Sequence, residues 1–171
     1  MRTLGVAILL FGLFVARQLR TIDQRDSFSF ASSGPYVVER VVDGDTLLLD
    51  GGTRVRLLGV DTPETKHPEK KPEPLGFEAY EFTRSLVEGR QVTLEFDRER
   101  RDRYRRVLAY VYVEGRQLNE ELIRAGLSRA ETQFPYADSM KRRFRDAEQE
   151  ARTEKRGLWS GRMQSEIGQQ R

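Results

Sequence analysis

The sequence predicts an α+β domain that is mainly β, namely a small five-stranded barrel accompanied by three helices. Short apolar segments separated by glycine-containing turns indicate the strands, and three segments with apolar residues every three or four positions indicate the helices. The chain has 171 residues and no cysteine. It is therefore long enough to bury a core, and it must do so without disulfides.

The first predicted strands follow one another closely in the chain. Residues 36–42 are rich in Val, and residues 46–49 and 53–60 are largely apolar. The sequences Asp43-Gly44 and Asp50-Gly51-Gly52 separate these segments and are typical of tight turns. Three strands connected this closely imply an antiparallel meander.

The second half of the predicted domain combines helices with two more strands, at 91–96 and 107–113. Gly89 and Gly126 follow the first two helices as stop signals, and Asn119 is a possible cap. Five short strands with helices late in the chain favour a barrel of the oligonucleotide-binding (OB) type, although periodicity alone also allows an open α+β sandwich. The apolar positions of the three helices are Leu75, Ala79, Phe82 and Leu86, then Leu118, Leu122 and Ala125, then Met140, Phe144, Ala147 and Ala151.

The N-terminal region is predicted to be separate from this domain. Residues 4–16, LGVAILLFGLFVA, are uniformly apolar, and Arg2 and Arg17 flank them. As a helix this run spans about 20 Å, which is shorter than a hydrocarbon core of about 30 Å and fits a signal peptide better than a full membrane span. Cleavage after Ala16 would put the bulky Phe14 at the −3 position, where signal peptides have a small residue. A retained membrane anchor is therefore an equal alternative to a cleaved signal peptide.

These features divide the chain into four predicted parts. A signal peptide or membrane anchor occupies residues 1–17, a linker 18–35, the folded domain 36–160 and a polar tail 161–171. This organisation predicts an extracytoplasmic protein that is secreted or anchored by its N-terminus. We expect the domain to be a monomer.

The charge of the chain gives no general argument for a nucleic-acid partner. The net charge is +3, but residues 1–33 contain four arginines and two aspartates. The remaining domain is therefore nearly neutral. Any argument for a polyanionic partner must rest on local clusters of basic residues.

The segment from 41 to 64, VVDGDTLLLDGGTRVRLLGVDTPE, brings several carboxylates close together in the chain. Asp45 and Asp61 offer the oxygen ligands that hard cations prefer, and Pro63 favours an extended Thr62 that could present its carbonyl as a further ligand. Turn formation is the interpretation accepted for Asp50, and for Asp43 turn formation and a metal site are balanced. The aspartates alone favour a metal site only modestly.

Arg56 lies between these carboxylates on the third predicted strand. An arginine on the outer face of a strand is common, and strict alternation would point Arg56 and Asp61 to opposite faces. Gly59 offers a solution, because an interior glycine often marks a bulge that changes the direction of a strand. His67 is the only histidine, so chemistry that needs two histidines is excluded. Thiolate metal sites are excluded because the sequence has no cysteine.

Residues 98–106, RERRDRYRR, form the densest basic cluster. Such a run is usually a solvated loop. Arg106 could instead reach a phosphate through two parallel hydrogen bonds, and Tyr104 could stack on a sugar or a base. By itself the cluster is a weak signal.

Five blocks of this sequence, in the same order, resemble the thermonuclease (staphylococcal nuclease-like) family. The blocks are VVDGDT, RLLGVDTPETKHPEK, DRYRRVLAYVY, LNEELIRAGL and RGLW. The resemblance covers residues 36–159, which is the whole predicted domain. It implies a five-stranded OB-fold barrel with three helices, in agreement with the strand and helix patterns. It also implies cleavage that leaves 3′-phosphorylated products.

The resemblance implies a calcium-dependent nuclease acting on DNA or RNA, with roles carried over motif by motif. A non-catalytic nucleic-acid-binding OB-fold module is the alternative. The joint presence of all the motif residues favours the enzyme. The implied roles are Ca²⁺ ligands for Asp45, Asp61 and the Thr62 carbonyl, catalytic residues for Arg56, Glu64 and Arg106, substrate-binding residues for Tyr104 and Arg103, and a supporting carboxylate for Asp43.

The chain departs from the family pattern at two places. Arg105 stands where a glycine is common, which affects the loop before Arg106. Thr132 stands roughly where the family has a tyrosine that stacks on a base, and Phe134 or Tyr136 is expected to substitute for it. These departures bear on substrate affinity and base preference.

Overall fold

The computed structural model describes residues 34–65, 73–161, 163 and 165. All of them belong to one compact unit, Ser33–Arg171. The predicted signal peptide or anchor at 1–17, most of the linker at 18–35, His67 and most of the tail at 161–171 lie outside the described residues. Within the described part of the chain, no helix is long and apolar enough to span a bilayer.

Five longer strands form a closed barrel, which confirms the predicted fold. Antiparallel pairing gives the order β3-β2-β1-β5-β6, and β3 closes the barrel by pairing in parallel with β6. The short β7 extends the edge at β6, and β4 pairs with β8 in a separate two-stranded sheet. The strands of the described residues are β1 Tyr36–Asp43, β2 Thr46–Leu49, β3 Thr53–Leu57, β4 Val60–Asp61, β5 Gln91–Glu95, β6 Val107–Val113, β7 Arg116–Gln117 and β8 Arg129–Ala130.

The helices lie where the apolar periodicity predicted them, but two details were wrong. The helices are α1 Gly76–Val87, α2 Leu118–Arg124 and α3 Asp138–Thr153, followed by a 3₁₀ turn at Gly157–Trp159. Helix α1 buries Ala79, Thr83 and Val87, whereas the predicted Phe82 and Leu86 are only half-buried. The buried face of α1 includes the polar Thr83, which a prediction based on hydrophobicity does not assign to the core. The predicted buried face was therefore rotated away from the observed one.

Asn119 is not a helix cap, because it lies inside the first turn of α2 and is fully buried. Its amide donates to the carbonyls of Leu58 and Ala109, and its Oδ1 accepts the N–H of Val111. A buried amide with these partners is stable only because its hydrogen bonds are made. Asn119 therefore ties α2 to strand β6 and to the β3–β4 connection.

The barrel core is apolar, and an aromatic cluster covers it near the β3–β4 connection. The rings of Tyr110, Tyr136 and Phe144 lie 6.0–6.4 Å apart, and all three are buried. Gly59 packs directly on this cluster: a Cβ there would lie 2.7 Å from Phe144 Cε2. Only glycine fits so close to the rings, so the cluster fixes the path of the chain between β3 and β4.

Candidate active site

The β3–β4 connection brings Arg56 and Asp61 to the same side of the barrel. Gly59 has φ of +71°, which ends the regular alternation of the strand. Arg56 Nη2 then lies 2.7 Å from Asp61 Oδ1, and Nη1 lies against Asp45 Oδ2. The predicted role of Gly59 in redirecting the strand is thus confirmed.

The two carboxylates on Arg56 differ in their surroundings. The Asp45 side chain is 9% exposed, and its oxygens accept hydrogen bonds from the Thr46 hydroxyl at 3.0 Å and from the Thr62 N–H and hydroxyl at 3.1 and 3.2 Å. The Asp61 side chain is 64% exposed. The site therefore has one firmly held, buried carboxylate and one that faces solvent.

Burial lowers the pKa of Arg56, and the positive charge of Arg106 lowers it further. The carboxylates of Asp61 and Glu64 act in the opposite direction. Arginine keeps its charge under such conditions. Arg56 therefore interacts electrostatically with Asp61, Glu64 and Arg106 at once, and the structure brings these predicted site residues together.

Glu64 is exposed and lies next to a second carboxylate, Asp43. The pKa of Glu64 is raised to about 7, mainly by the hydrogen bond between the two side chains and to a smaller extent by burial. Asp43 Oδ1 also accepts hydrogen bonds from the Gly44 N–H and the Thr65 hydroxyl, both at 2.9 Å. Asp43 thus caps the turn and contacts Glu64, which supports its interpretation as a turn former.

The N-terminus of helix α1 packs against the backbone of Glu64. Gly76, the first residue of α1, would place a Cβ 2.7 Å from the Glu64 carbonyl oxygen. The Glu73 N–H donates to the same carbonyl at 2.9 Å. A larger residue at position 76 would push this segment away, so the close packing sets the position of Glu64.

Arg106 is held by its own loop. Its Nε donates to Asp102 Oδ2 at 2.7 Å, and its backbone N–H donates to Asp102 Oδ1 at 2.9 Å. Between them, Arg105 adopts φ of +64°, in the left-handed region that favours glycine. The position where the family commonly has glycine therefore has a backbone that suits glycine here too.

A cleft of about 560 Å³ opens beside Arg56 and Arg106. Tyr104 lines it and is 64% exposed, with the guanidinium of Arg106 5.4 Å from its ring centre. Arg103 lies 4.8 Å from the same ring and donates to the Tyr104 hydroxyl at 2.7 Å. The cleft thus offers an exposed aromatic face next to cationic groups.

The structure separates the two candidates for the missing base-stacking residue. Phe134 is 54% exposed and lines the cleft. Tyr136 also borders the cleft, but it is only 1% exposed because its ring packs in the aromatic cluster with Tyr110 and Phe144. A buried ring cannot present its face to a base, so the expectation for Tyr136 was wrong and Phe134 is the candidate that stays.

The donor set fits a hard divalent cation. Asp45 and Asp61 contact the two terminal nitrogens of one guanidinium, so their oxygens converge on one small region. Thr62 lies beside Asp45 through two hydrogen bonds. In the described residues, no three carboxylate or imidazole side chains converge, so the protein would supply few ligands and leave positions for water and phosphate.

Three residues at the site were not singled out from the sequence. Asp102 stands four residues before Arg106, and an acid at this spacing within an arginine-rich run was the signal that could have identified it. Thr83 donates to the Gly44 carbonyl at 2.6 Å, and the Ser128 hydroxyl bonds to the backbone of Asp61. Their sequence neighbours give no sign of either contact, because the partners lie 39 and 67 residues away.

Comparison with known proteins places this fold and site in one family. Residues 54–161 match the family described as staphylococcal nuclease homologue. The chain is 40% identical over 127 residues to a protein named thermonuclease from Staphylococcus intermedius, covering 72% of this chain and 75% of the relative. It is 38% identical over 135 residues to the thermonuclease of Staphylococcus hyicus, covering 77% and 79%.

A further relative is the endonuclease YncB of Bacillus subtilis, 42% identical over 131 residues, with 72% of this chain and 60% of the relative aligned. The family match at residues 54–161 includes Arg56, Asp61, Glu64 and Arg106. The chain belongs to the staphylococcal nuclease homologue family.

Proposed function

We propose that this protein is a calcium-dependent nuclease that hydrolyses phosphodiester bonds of DNA or RNA outside the cytosol. The observation that carries the proposal is the position of Arg56, paired with Asp45 and Asp61 and within electrostatic range of Arg106 and Glu64. Relatives that share the family are named thermonuclease and endonuclease. Nucleic acid is accordingly the substrate class.

Asp45, Asp61 and the Thr62 carbonyl are the groups that would hold the cation. A bound Ca²⁺ would offset negative charge on the phosphate and polarise its phosphorus–oxygen bonds. A buried, hydrogen-bonded Asp45 supplies a fixed ligand, and the exposed Asp61 can adjust to the incoming ion. A site with few protein ligands suits the millimolar affinities of extracellular calcium sites.

Arg56 and Arg106 would bind the scissile phosphate. A guanidinium offers parallel hydrogen-bond donors that match two phosphate oxygens and stays charged throughout the reaction. Asp61 aligns Arg56, and Asp102 aligns Arg106. Preorganised cations of this kind stabilise the charge that develops as water attacks phosphorus and the bond to the leaving oxygen breaks.

Glu64 would orient the attacking water and accept its proton. An ordinary glutamate has a pKa of about 4.3 and is a weak base for water. The neighbouring Asp43 raises the pKa of Glu64 to about 7 by sharing a hydrogen bond with it. Attack on phosphorus depends mainly on positioning, and Glu64 is well placed for that because α1 supports its backbone.

The cleft beside the two arginines would hold the nucleotide next to the scissile bond. Tyr104 and Phe134 present exposed rings on which a base or sugar can stack, and such stacking is tolerant of sequence. Arg103 keeps a positive charge at the edge of the Tyr104 ring. This pattern suits unpaired strands, whose bases are free to stack.

The apolar run at residues 4–16 supports export or membrane anchoring. Export would bring the protein to the calcium concentrations that a weak site requires and would separate it from the nucleic acid of its own cell. Fractionation of producing cells tests this part separately. Recovery of the protein in the cytosolic fraction alone would contradict it.

The test of function is cleavage of single-stranded DNA by the purified protein, first with Ca²⁺ and then with excess chelator. A Glu64→Ala variant serves as the control, because its exposed side chain can be removed without opening the core. We expect activity that requires Ca²⁺ and collapses in the variant. Tight binding without cleavage, unchanged by the substitution, would instead establish a non-catalytic binding module.

A further inference from the structure

The buried Ser and Thr hydroxyl groups of the described residues all bond to the segments around Asp45 and Asp61. Four Ser or Thr residues are buried in this part of the chain: Thr46, Thr62, Thr83 and Ser128. Thr46 and Thr62 bond to the Asp45 carboxylate, and Thr83 bonds to the carbonyl of Gly44, just before it. Only Ser128 bonds to Asp61 among these four.

Ser128 lies immediately before β8 and is fully buried. Its Oγ accepts the N–H of Asp61 at 2.9 Å, and it lies 3.0 Å from the carbonyl oxygen of Asp61 and 2.8 Å from that of Arg129. A hydroxyl has one proton to donate, so it donates to one of these carbonyls at a time. Ser128 thus contacts both polar groups of the Asp61 backbone.

The exposed carboxylate of Asp61 depends on this backbone contact more than Asp45 does. The Asp61 side chain is 64% exposed and is held by its ion pair with Arg56, so its distance from Asp45 depends on that pair and on where its own Cα lies. Strand β4 has only two residues, and its pairing with β8 joins Val60 to Ala130 and Asp61 to Arg129. So short a ladder leaves the hydroxyl of Ser128 as a major restraint on the position of Asp61.

We propose that Ser128 is a positioning residue that holds Asp61 at the separation from Asp45 needed for divalent-cation binding, and so sets the affinity of that site. The inference rests on the proposed function, because it takes Asp45 and Asp61 as the cation ligands. Ser128 does not touch the ion or the substrate. It acts through the backbone of Asp61, whose carboxylate is paired with Arg56.

Removal of the hydroxyl has a defined cost. In Ser128→Ala the N–H of Asp61 loses its side-chain acceptor inside the protein, and the β4 segment can shift to find another partner. Loss of a group that orients a metal ligand typically weakens metal affinity by about 10- to 100-fold. We expect a decrease of at least about 10-fold in Ca²⁺ affinity for this variant.

The experiment measures Ca²⁺ binding directly, by calorimetric titration of the full-length protein without nucleic acid. Val92→Ala is the matched control, because Val92 is buried on β5 and its truncation destabilises the fold away from the site. The expected result is weaker binding in Ser128→Ala and unchanged binding in Val92→Ala. Equal affinities in Ser128→Ala and the wild type would overturn the proposal.

A second readout covers the case in which Ser128→Ala is too unstable for titration. Ca²⁺ raises the unfolding temperature of any variant that binds it, by an amount set by the ratio of ion concentration to Kd. Val92→Ala should show the wild-type increase and Ser128→Ala a smaller one. An equal increase in both variants would contradict the role of Ser128.

The failure of this inference is distinguishable from the failure of the proposed function. If the wild type cleaves DNA with Ca²⁺ and Ser128→Ala binds Ca²⁺ normally, the proposed nuclease function stands and the role of Ser128 is contradicted. If the wild type binds no Ca²⁺, the proposed cation site and the role of Ser128 are both contradicted. In the expected case, the Ca²⁺ concentration for half-maximal cleavage also rises in Ser128→Ala.

Discussion

The two arginines beside the cleft are held in different ways. Arg56 lies on the barrel and pairs with Asp45 and Asp61, which are fixed in turn by residues up to 67 positions away in the chain. Arg106 lies at the end of an exposed basic loop and pairs with Asp102, only four residues before it. The centre of the proposed chemistry is thus built from long-range contacts, and the proposed substrate-binding side from local ones.

This difference suggests a division of roles. Residues fixed by the barrel can keep cation, phosphate and water in one geometry, as transition-state stabilisation requires. Residues on the loop can adapt to a nucleotide whose base varies. We therefore expect changes at the barrel residues to lower turnover most and changes at Arg106 and its partner Asp102 to lower it less. Changes at the exposed rings of Tyr104 and Phe134 should alter mainly substrate affinity.

The largest effect is expected for Arg56→Lys. Lysine keeps the positive charge beside Asp45 but loses the planar pair of donors for phosphate. Turnover with saturating DNA and Ca²⁺ should fall by about 100-fold or more, with little change in thermal unfolding. Near-normal turnover would remove Arg56 from the mechanism.

A smaller loss is expected for Asp102→Asn, which frees Arg106 from its charged partner. Misplacement of a positioned group by about 1 Å can reduce the rate by as much as about 100-fold, and we expect a loss of about 10-fold here because Arg106 itself is retained. Steady-state kinetics measures it. Arg106→Lys is the companion variant and should lose more, and the reverse order would contradict the role of Asp102.

Phe134→Ala tests whether an exposed ring of the cleft binds the substrate without affecting turnover. Base stacking on an exposed ring contributes about 1–3 kcal/mol per base, so KM for single-stranded DNA should rise by about 10-fold while kcat changes little. Phe77→Ala is a matched control, since Phe77 is 66% exposed and does not line the cleft. Equal effects of the two substitutions would show that Phe134 has no special contact with the substrate.

Asp97 ties the basic loop to the barrel and to the start of α3. Burial by itself raises the pKa of Asp97, but hydrogen bonds from the Ala137 and Arg98 N–H groups and the Tyr110 hydroxyl outweigh it and lower the pKa below its usual range. The ionised carboxylate therefore stabilises the fold above the unfolded-state pKa of about 3.9, and this contribution is lost as pH falls through the lower folded-state pKa.

Asp97→Asn should accordingly lower the free energy of unfolding at neutral pH by about 2 kcal/mol, as expected for hydrogen bonds to a charged group. The difference from the wild type should narrow as pH falls below about 4, because the Asp97 carboxylate of the unfolded chain then takes up a proton before that of the folded protein does. Denaturant unfolding at several pH values measures both. A difference that stays constant with pH would mean that charge is not the cause.

The sequence predicted the architecture and the chemical groups well, because both leave local patterns. Alternating and helical periodicity located the five barrel strands and the three helices. Gly59 was predicted to redirect the chain after β3, because a glycine inside a strand typically marks a bulge or a close backbone approach. The buried face of α1 was misplaced, because Thr83 is buried for its hydrogen bond to Gly44 and not for its hydrophobicity.

The supporting contacts could not be predicted in the same way. Ser128 and Asp61 become neighbours only when β8 pairs with β4, and no local pattern records that pairing. Tyr136 and Phe134 are two residues apart and both aromatic, yet Tyr136 is buried and Phe134 is 54% exposed. Their roles are decided by the path of the loop before α3, which composition does not determine.

The smallest effect is expected for Arg105→Gly. A left-handed backbone costs a non-glycine residue about 1 kcal/mol, and glycine removes that cost while making the unfolded chain more flexible. Stability should rise by no more than about 1 kcal/mol, with catalytic constants nearly unchanged. A clear loss of stability in thermal unfolding would mean that the Arg105 side chain outweighs the strain of its backbone.

The most direct test of the division between barrel and loop compares kcat at saturating DNA and Ca²⁺ for two proteins, Arg56→Lys and the double variant Tyr104→Ala/Phe134→Ala. We predict that Arg56→Lys loses turnover by about 100-fold or more, whereas the double variant keeps most of its turnover and binds DNA more weakly. The opposite pattern, with turnover lost in the double variant and kept in Arg56→Lys, would contradict it.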